Sequence, residues 1–169
     1  MAVDGSGNAY VVGGTYGTLL GPDNDVLDTF IRKYSSSGSV FWTRQLNFGV
    51  IDGAEPVAIS GSNVYVGVSY VSDANSEGYD VDFRIIKFST GGVRTQGWGF
   101  VYNSAASNYV SDLSTDGDSN IYFSGSIDTL DGEGDADGFV GKLKPSSARV
   151  WSRRSVEEVL RVRGERWVA

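Results

Sequence analysis

The sequence predicts an all-β protein: three four-stranded antiparallel units in tandem, laid out as part of a β-propeller, then a short tail of different character. Three observations predict it. A set of anchor residues recurs three times in one order. Each copy holds four short runs of aromatic and β-branched residues, bounded by Gly, Asn, Asp and Ser clusters. No stretch before residue 153 has helical periodicity.

The first run of each unit is Ala2-Val3, Pro56–Ile59 or Tyr109–Leu113. A turn follows: Asp4-Gly-Ser-Gly-Asn8, Ser60-Gly-Ser-Asn63 or Asp116-Gly-Asp-Ser-Asn120. These residues tolerate positive φ, which hairpins require. The second run carries Tyr10, Tyr65 or Tyr122, spaced by 55 and 57 residues. The third is Phe30–Tyr34, Phe83–Phe88 or Phe139–Leu143, with Asp28, Asp82 or Asp137 five residues before Lys33, Lys87 or Lys142. A Ser/Thr-Gly turn (looser as Ser146-Ser147) leads to the fourth run: Val40–Leu46, Gly97–Val101 or Val150–Ser152. Trp42 and Trp151 stand nine residues after the Lys, whereas Trp98 stands eleven after it. Four strands per unit, at a period somewhat above the ~40–50 residues of common propeller repeats, give blades at about 1–53, 54–107 and 108–152.

The pattern Asp-x-x-Gly-Asn-x-Tyr-Val-x-Gly, an Asp-rich loop, Asp-x-Phe-x-x-Lys, Ser-x-Gly and Trp resembles the SBBP repeat, a bacterial seven-bladed-propeller repeat. Asp4–Gly13 and Asp137–Lys142 carry the resemblance most closely, and it spans residues 1–152. It implies a propeller architecture and an exported or cell-surface protein, and it brings no catalytic residue with it. The middle copy departs from the pattern, with no opening Asp, Arg84 where Phe30 and Phe139 sit, and the shifted Trp98.

Composition narrows the chemistry. The chain of 169 residues has no His and no Cys. Disulfides, thiolate nucleophiles, imidazole-based metal centres and Ser–His or Cys–His pairs are therefore excluded. No apolar run approaches the ~20 residues of a membrane-spanning helix. Met1 is followed by Ala-Val-Asp-Gly rather than a basic and then apolar stretch, so no secretory signal is expected. The net charge of −7 is split: residues 1–148 hold 8 basic and 18 acidic side chains, and residues 149–169 hold six Arg and three Glu. An acidic body of this kind is a poor nucleic-acid binder.

The acids cluster. In an up-and-down blade the loops between second and third strands share an end with the inter-blade linkers. Those loops, Gly14–Leu27, Tyr70–Val81 and Ile127–Ala136, contain no Lys or Arg. With the Asp closing each, they hold Asp23, Asp25, Asp28, Asp73, Glu77, Asp80, Asp82, Asp128, Asp131, Glu133, Asp135 and Asp137, 12 of the body's 18 carboxylates. Asp52 and Glu55 in a linker add two more. Such a face attracts cations or a basic partner. Asp131, Glu133, Asp135 and Asp137, spaced two apart, are candidate ligands for a hard cation such as Ca2+. They do not form an EF-hand loop, because position six is Ala136 and position twelve is Lys142. The alternative is that Asp and Gly fill these loops because they turn well and keep the chain soluble. The repeated Lys are expected to pair with the Asp five residues earlier or with a neighbouring carbonyl. The repeated Tyr and Trp are expected to pack between blades.

Residues 153–169 form the odd piece. Ser155-Val-Glu-Glu158 fits a capping box, which reads either as a short docking helix or as an out-of-context terminus. Three blades leave faces wet and edges unpaired, so closure by further blades of a longer chain or by self-association is expected. The functional expectation is a non-catalytic scaffold binding a protein, glycan or cation at its acidic end. The alternatives are a carboxylate-based glycoside-active enzyme and a structural spacer of a surface protein.

Overall fold

The computed structural model describes residues 1–20, 27–49, 51–75, 78–104, 106–128 and 136–154. Among them there are twelve strands and no helix. They form three four-stranded antiparallel sheets, each an up-and-down meander in chain order. Sheet 1 comprises β1 (Ala2–Val3), β2 (Ala9–Thr15), β3 (Asp28–Tyr34) and β4 (Val40–Leu46). Sheet 2 comprises β5 (Ile51–Ser60), β6 (Asn63–Asn75), β7 (Gly78–Ser89) and β8 (Arg94–Tyr102). Sheet 3 comprises β9 (Asn108–Thr115), β10 (Ile121–Asp128), β11 (Ala136–Leu143) and β12 (Arg149–Arg154).

The register makes the repeat exact in space. Tyr10, Tyr65 and Tyr122 stand opposite Lys33, Lys87 and Lys142. Gly13 and Gly125 stand opposite Phe30 and Phe139. A Cβ on Gly125 would collide with Tyr109 O and lie 2.7 Å from the Phe139 ring, so both the neighbouring strand and the ring require glycine there. In sheet 2 the pair is Val68 and Arg84, with no glycine opposite the arginine.

Sheets 1 and 2 each turn their Tyr-bearing face toward the next sheet. Between sheets 1 and 2, Tyr10 and Ile31 pack against Val64, Val66, Val68, Ile86 and Phe88, all at most 2 % exposed. Between sheets 2 and 3, Tyr65, Phe83 and Ile85 pack against Ile121, Phe123, Phe139 and Leu143. Phe83 and Phe139 stack there at 5.3 Å and 8°. Full burial of a side chain of this size contributes roughly 2 kcal/mol.

Several boundaries differ from the sequence expectation: β5 starts at Ile51 rather than Pro56, so Asp52 and Glu55 stand on a strand and not in a linker. Within the span expected as a loop, residues 70–75 and 78–81 extend the β6–β7 ladder instead, with Val71 opposite Val81 and Asn75 opposite Gly78. A flanking ladder overrides the weak strand preference of Ser, Asp and Asn there. Strand β12 also continues through Arg153 and Arg154, opposite Val140 and Phe139, past the expected limit at 152. The capping box and the rest of the tail lie outside the described residues.

Candidate functional site

The residues flanking the loops between second and third strands lie beside the linkers between sheets, where Asp52 N donates to Leu27 O (2.8 Å) and Asp128 N to Ser107 O (2.9 Å), but the described carboxylates there have different fates. Asp28 and Asp82 are inside, at 5 % and 0 % exposure. Asp28 accepts from Gln45 Nε2 and Asn47 Nδ2, each at 2.9 Å, and Asp82 accepts from Asn103 Nδ2 at 2.7 Å. These contacts tie the start of the third strand to the chain just past the fourth. Asp128 is exposed, and Asp137 is half-buried opposite Ile127. Asp73 and Asp80 lie on β6 and β7 rather than in a loop. Asp23, Asp25, Glu77, Asp131, Glu133 and Asp135 lie outside the described residues. Among the described residues no three acidic side chains converge on a metal-sized site.

Asp52 is the unusual carboxylate. It is fully buried at the start of β5, with Oδ2 accepting from Phe48 N at 2.6 Å and Oδ1 without a hydrogen bond. Burial pushes its carboxyl from 3.8 up to about 6, the Asp28 charge pushes the same way, and Arg84 pulls back. Arg84 lies between the rings of Phe48 (4.4 Å) and Tyr70 (4.2 Å). Two aromatic faces replace the water that a guanidinium normally holds. The departure at Arg84 therefore puts a cation at the junction of sheets 1 and 2, where its charge offsets only part of the burial that raises Asp52.

The opposite end of the molecule carries the repeated Lys. Asp4 Oδ1 accepts from the backbone N–H groups of Ser6 and Asn8, and Oδ2 accepts from Asn8 Nδ2 and the Tyr10 hydroxyl. Asp116 repeats this with Asp118, Asn120 and Tyr122. Led by the Asn side chain, these bonds hold both carboxyls down at about 2. Lys33 and Lys142 pair with these turn carboxylates at 3.7 and 3.6 Å. The Asp five residues earlier sits at the far end of the strand. Asp116–Asn120 is thus turn chemistry, and the expected neighbouring carbonyl is also found: Lys33 Nζ donates to Thr90 O of sheet 2 at 3.2 Å.

That carbonyl belongs to a repeated device. Trp42 Nε1 also donates to Thr90 O (3.1 Å), and Arg44 Nε donates to Gly92 O (2.8 Å). The acceptors lie on the tight turn between β7 and β8. Gly92 has φ +82, and a Cβ there would lie 2.7 Å from the Trp42 ring, so the turn seats the indole only with glycine. At the next junction Trp98 Nε1 donates to Pro145 O (2.6 Å), on the turn between β11 and β12. Trp98 reaches it because a register shift in β8, with Gly97 at φ +71, absorbs the two extra residues. The Tyr–Trp pairs recur beside each lysine, at 6.0, 5.3 and 6.3 Å between ring centroids.

On sheet 3 the same face points outward. Tyr10 and Tyr65 are fully buried while Tyr122 is not, and Ile31 and Ile85 are buried while Val140, in the same register, is 39 % exposed. Trp151 is 36 % exposed. Two signals for this arrangement stand in the sequence without forming a recognised motif. Arg follows Trp by two residues at Arg44 and Arg153, and Asn follows it by five at Asn47 and Asn103.

No family model matches the chain, and no curated protein matches it. Function must therefore be argued from the side chains themselves.

Proposed function

We propose that the chain is a non-catalytic β-propeller scaffold: three blades of a larger ring, of the SBBP-like kind, presenting an acidic loop end to a basic protein segment. One observation carries the reading. The indole of one sheet docks on the tight turn of the next with the same donor and an equivalent carbonyl at both junctions. A contact repeated with each unit belongs to a stack whose neighbours interact alike. The alternative of carboxylate-based glycoside hydrolysis draws on Asp52, whose raised titration beside Asp28 suits a general acid. Both groups are buried, however, and a glycosidase pair must flank a substrate at ~5–10 Å.

The loops between second and third strands supply the binding chemistry. Their acids are unrelieved by Lys or Arg. A synthetic Lys/Arg-rich peptide, titrated calorimetrically at low and at physiological salt, tests the idea. Binding should weaken at least tenfold with added salt, and should weaken again when Asp128, Asp131, Glu133 and Asp135 are neutralised to Asn or Gln. Salt-independent binding, or none, would sink it. A rise in melting temperature in millimolar calcium, reversed by chelator, would redirect the site toward a cation.

A further inference from the structure

The third sheet repeats the donor set of the first. Lys33, Trp42 and Arg44 face sheet 2 and give three hydrogen bonds to two carbonyls of its turn, Thr90 O and Gly92 O. By register, Lys142, Trp151 and Arg153 are their counterparts: Lys142 stands opposite Trp151 as Lys33 stands opposite Trp42, and Val140 stands opposite Arg153 as Ile31 stands opposite Arg44. Trp151 and Arg153 are exposed, and among the described residues neither indole nor guanidinium has a carbonyl acceptor.

The acceptor also exists on this chain. The turn Ser35–Ser39 of sheet 1 has the hydrogen bonds of the docking turn in sheet 2. Ser35 N donates to Ser39 O and Gly38 N to Ser35 O, as Ser89 N does to Val93 O and Gly92 N to Ser89 O. The fourth turn residue has positive φ in both, +87 at Gly38 and +82 at Gly92. Ser36 therefore holds the place of Thr90, and Gly38 the place of Gly92. Ser36 to Ser39 are exposed, as are Val3 (58 %) and Phe41 (60 %) on the same sheet.

We infer that the outer face of sheet 3 is a docking surface for a second copy of this chain, whose Ser35–Ser39 turn seats Trp151 and accepts from Trp151 and Arg153. This rests on the blade-stacking reading above and names its partner. The contact is head-to-tail, so it generates a closed ring or an open series rather than a two-fold dimer. Its chemistry is that of the junction between sheets 1 and 2: an indole over a glycine turn, and charge-assisted bonds to carbonyls.

Native mass spectrometry and light scattering of the whole chain test it. Wild type should show multiples of 18.1 kDa at micromolar concentration. Arg153→Ala changes an exposed side chain, and should fold and associate about tenfold or more weakly. The double variant Trp151→Ala/Arg153→Ala should be monomeric yet keep its acceptor turn. Mixed with wild type, it should be captured once, giving a mixed dimer. A monomeric wild type, or a double variant that associates as well as wild type, overturns the inference. Trp42→Ala separates this from the stacking reading. If it raises amide exchange in sheet 1 while wild type stays monomeric, the stacking stands and the second copy fails.

Discussion

Asp52 and Asn108 occupy one place in the repeat, opposite Tyr70 and Ile127, and both are fully buried at the entrance to a new sheet. Asn108 serves its linker without charge, donating to Ser104 Oγ (2.9 Å) and to Ala106 O. Asp52 accepts from Phe48 N, faces Asp28 on β3 and Arg84 on β7, and titrates near 6 instead of 3.8. Its folded pKa is raised, so between about pH 4 and 6 the folded chain binds more protons than the unfolded one. Its contribution therefore weakens stability as pH rises through that window. Asp52→Asn keeps the oxygen that Phe48 N needs and removes the charge. We expect a gain of about 1–3 kcal/mol at pH 7.5, several degrees of melting temperature, and a flatter profile from pH 4 to 6. Thermal melts of both proteins across that range provide the check, and a variant less stable than wild type at pH 7.5 would refute it. A second position makes a sharper contrast. Tyr65 is fully buried with an unpaired hydroxyl, whereas the Tyr10 hydroxyl bonds Asp4. Tyr65→Phe should be neutral or stabilising by up to about 1 kcal/mol, and Tyr10→Phe should cost about 1 kcal/mol, as read by urea unfolding. Equal losses at both sites would contradict the difference in pairing.

The hairpin that opens sheet 1 and the hairpin that opens sheet 3 are the elements where local chemistry is densest. Asp4 and Asp116 each knit a four-residue turn, a Tyr hydroxyl and a Lys of the same sheet, whereas Ser60–Asn63 closes on two residues with Gly61 at φ +56. The two carboxyls sit at about 2, below their unfolded value of 3.8. What they add is fully present above about pH 4 and is lost as pH falls through 2. Asp4→Asn/Asp116→Asn should lower the melting temperature at pH 7 and flatten the acid limb between pH 4 and 2. An unchanged limb would mean that the turns hold without them. Strand existence was legible here from alternation and turn residues: β4 runs over Val40–Leu46 as the sequence indicates. The β6–β7 extension was not, because its pairing comes from the neighbouring ladder rather than from its own residues. Burial of Asp28 and Asp82 was equally hidden. An Asp before a strand reads as loop chemistry until the register brings Asn47 or Asn103 against it. The repeat marks the lysines as structural, but the carboxylate partners of Lys33 and Lys142 lie at the other end of the strand from Asp28 and Asp137, where only the antiparallel register reveals them.

Across the whole molecule the two inter-sheet cores are unequal. Between sheets 2 and 3, Phe83 meets Phe123 and Phe139 and Phe100 meets Phe123, with ring centroids 5.9, 5.3 and 5.3 Å apart. Each such pair adds about 0.5–1.5 kcal/mol beyond its buried area. Between sheets 1 and 2 the fully buried set is mainly aliphatic, the Tyr10–Trp42 pair sits at its edge, and a buried acid lies at the junction. In a tandem stack, stability is the sum of unit and nearest-neighbour terms, so the weaker interface opens first. Sheet 1 should therefore separate from sheet 2 before sheets 2 and 3 come apart. Native-state amide exchange in low denaturant measures this directly. The amides of β2 and β3 should exchange through an opening that costs less free energy than the one exposing β6, β7 and β10. Trp42→Ala should lower the first cost and leave the second nearly unchanged, because Trp42 touches only the first interface. If all three sheets lose protection together, in the wild type and in the variant, the aromatic cluster is not the anchor of a separable pair, and the three sheets unfold as one cooperative unit.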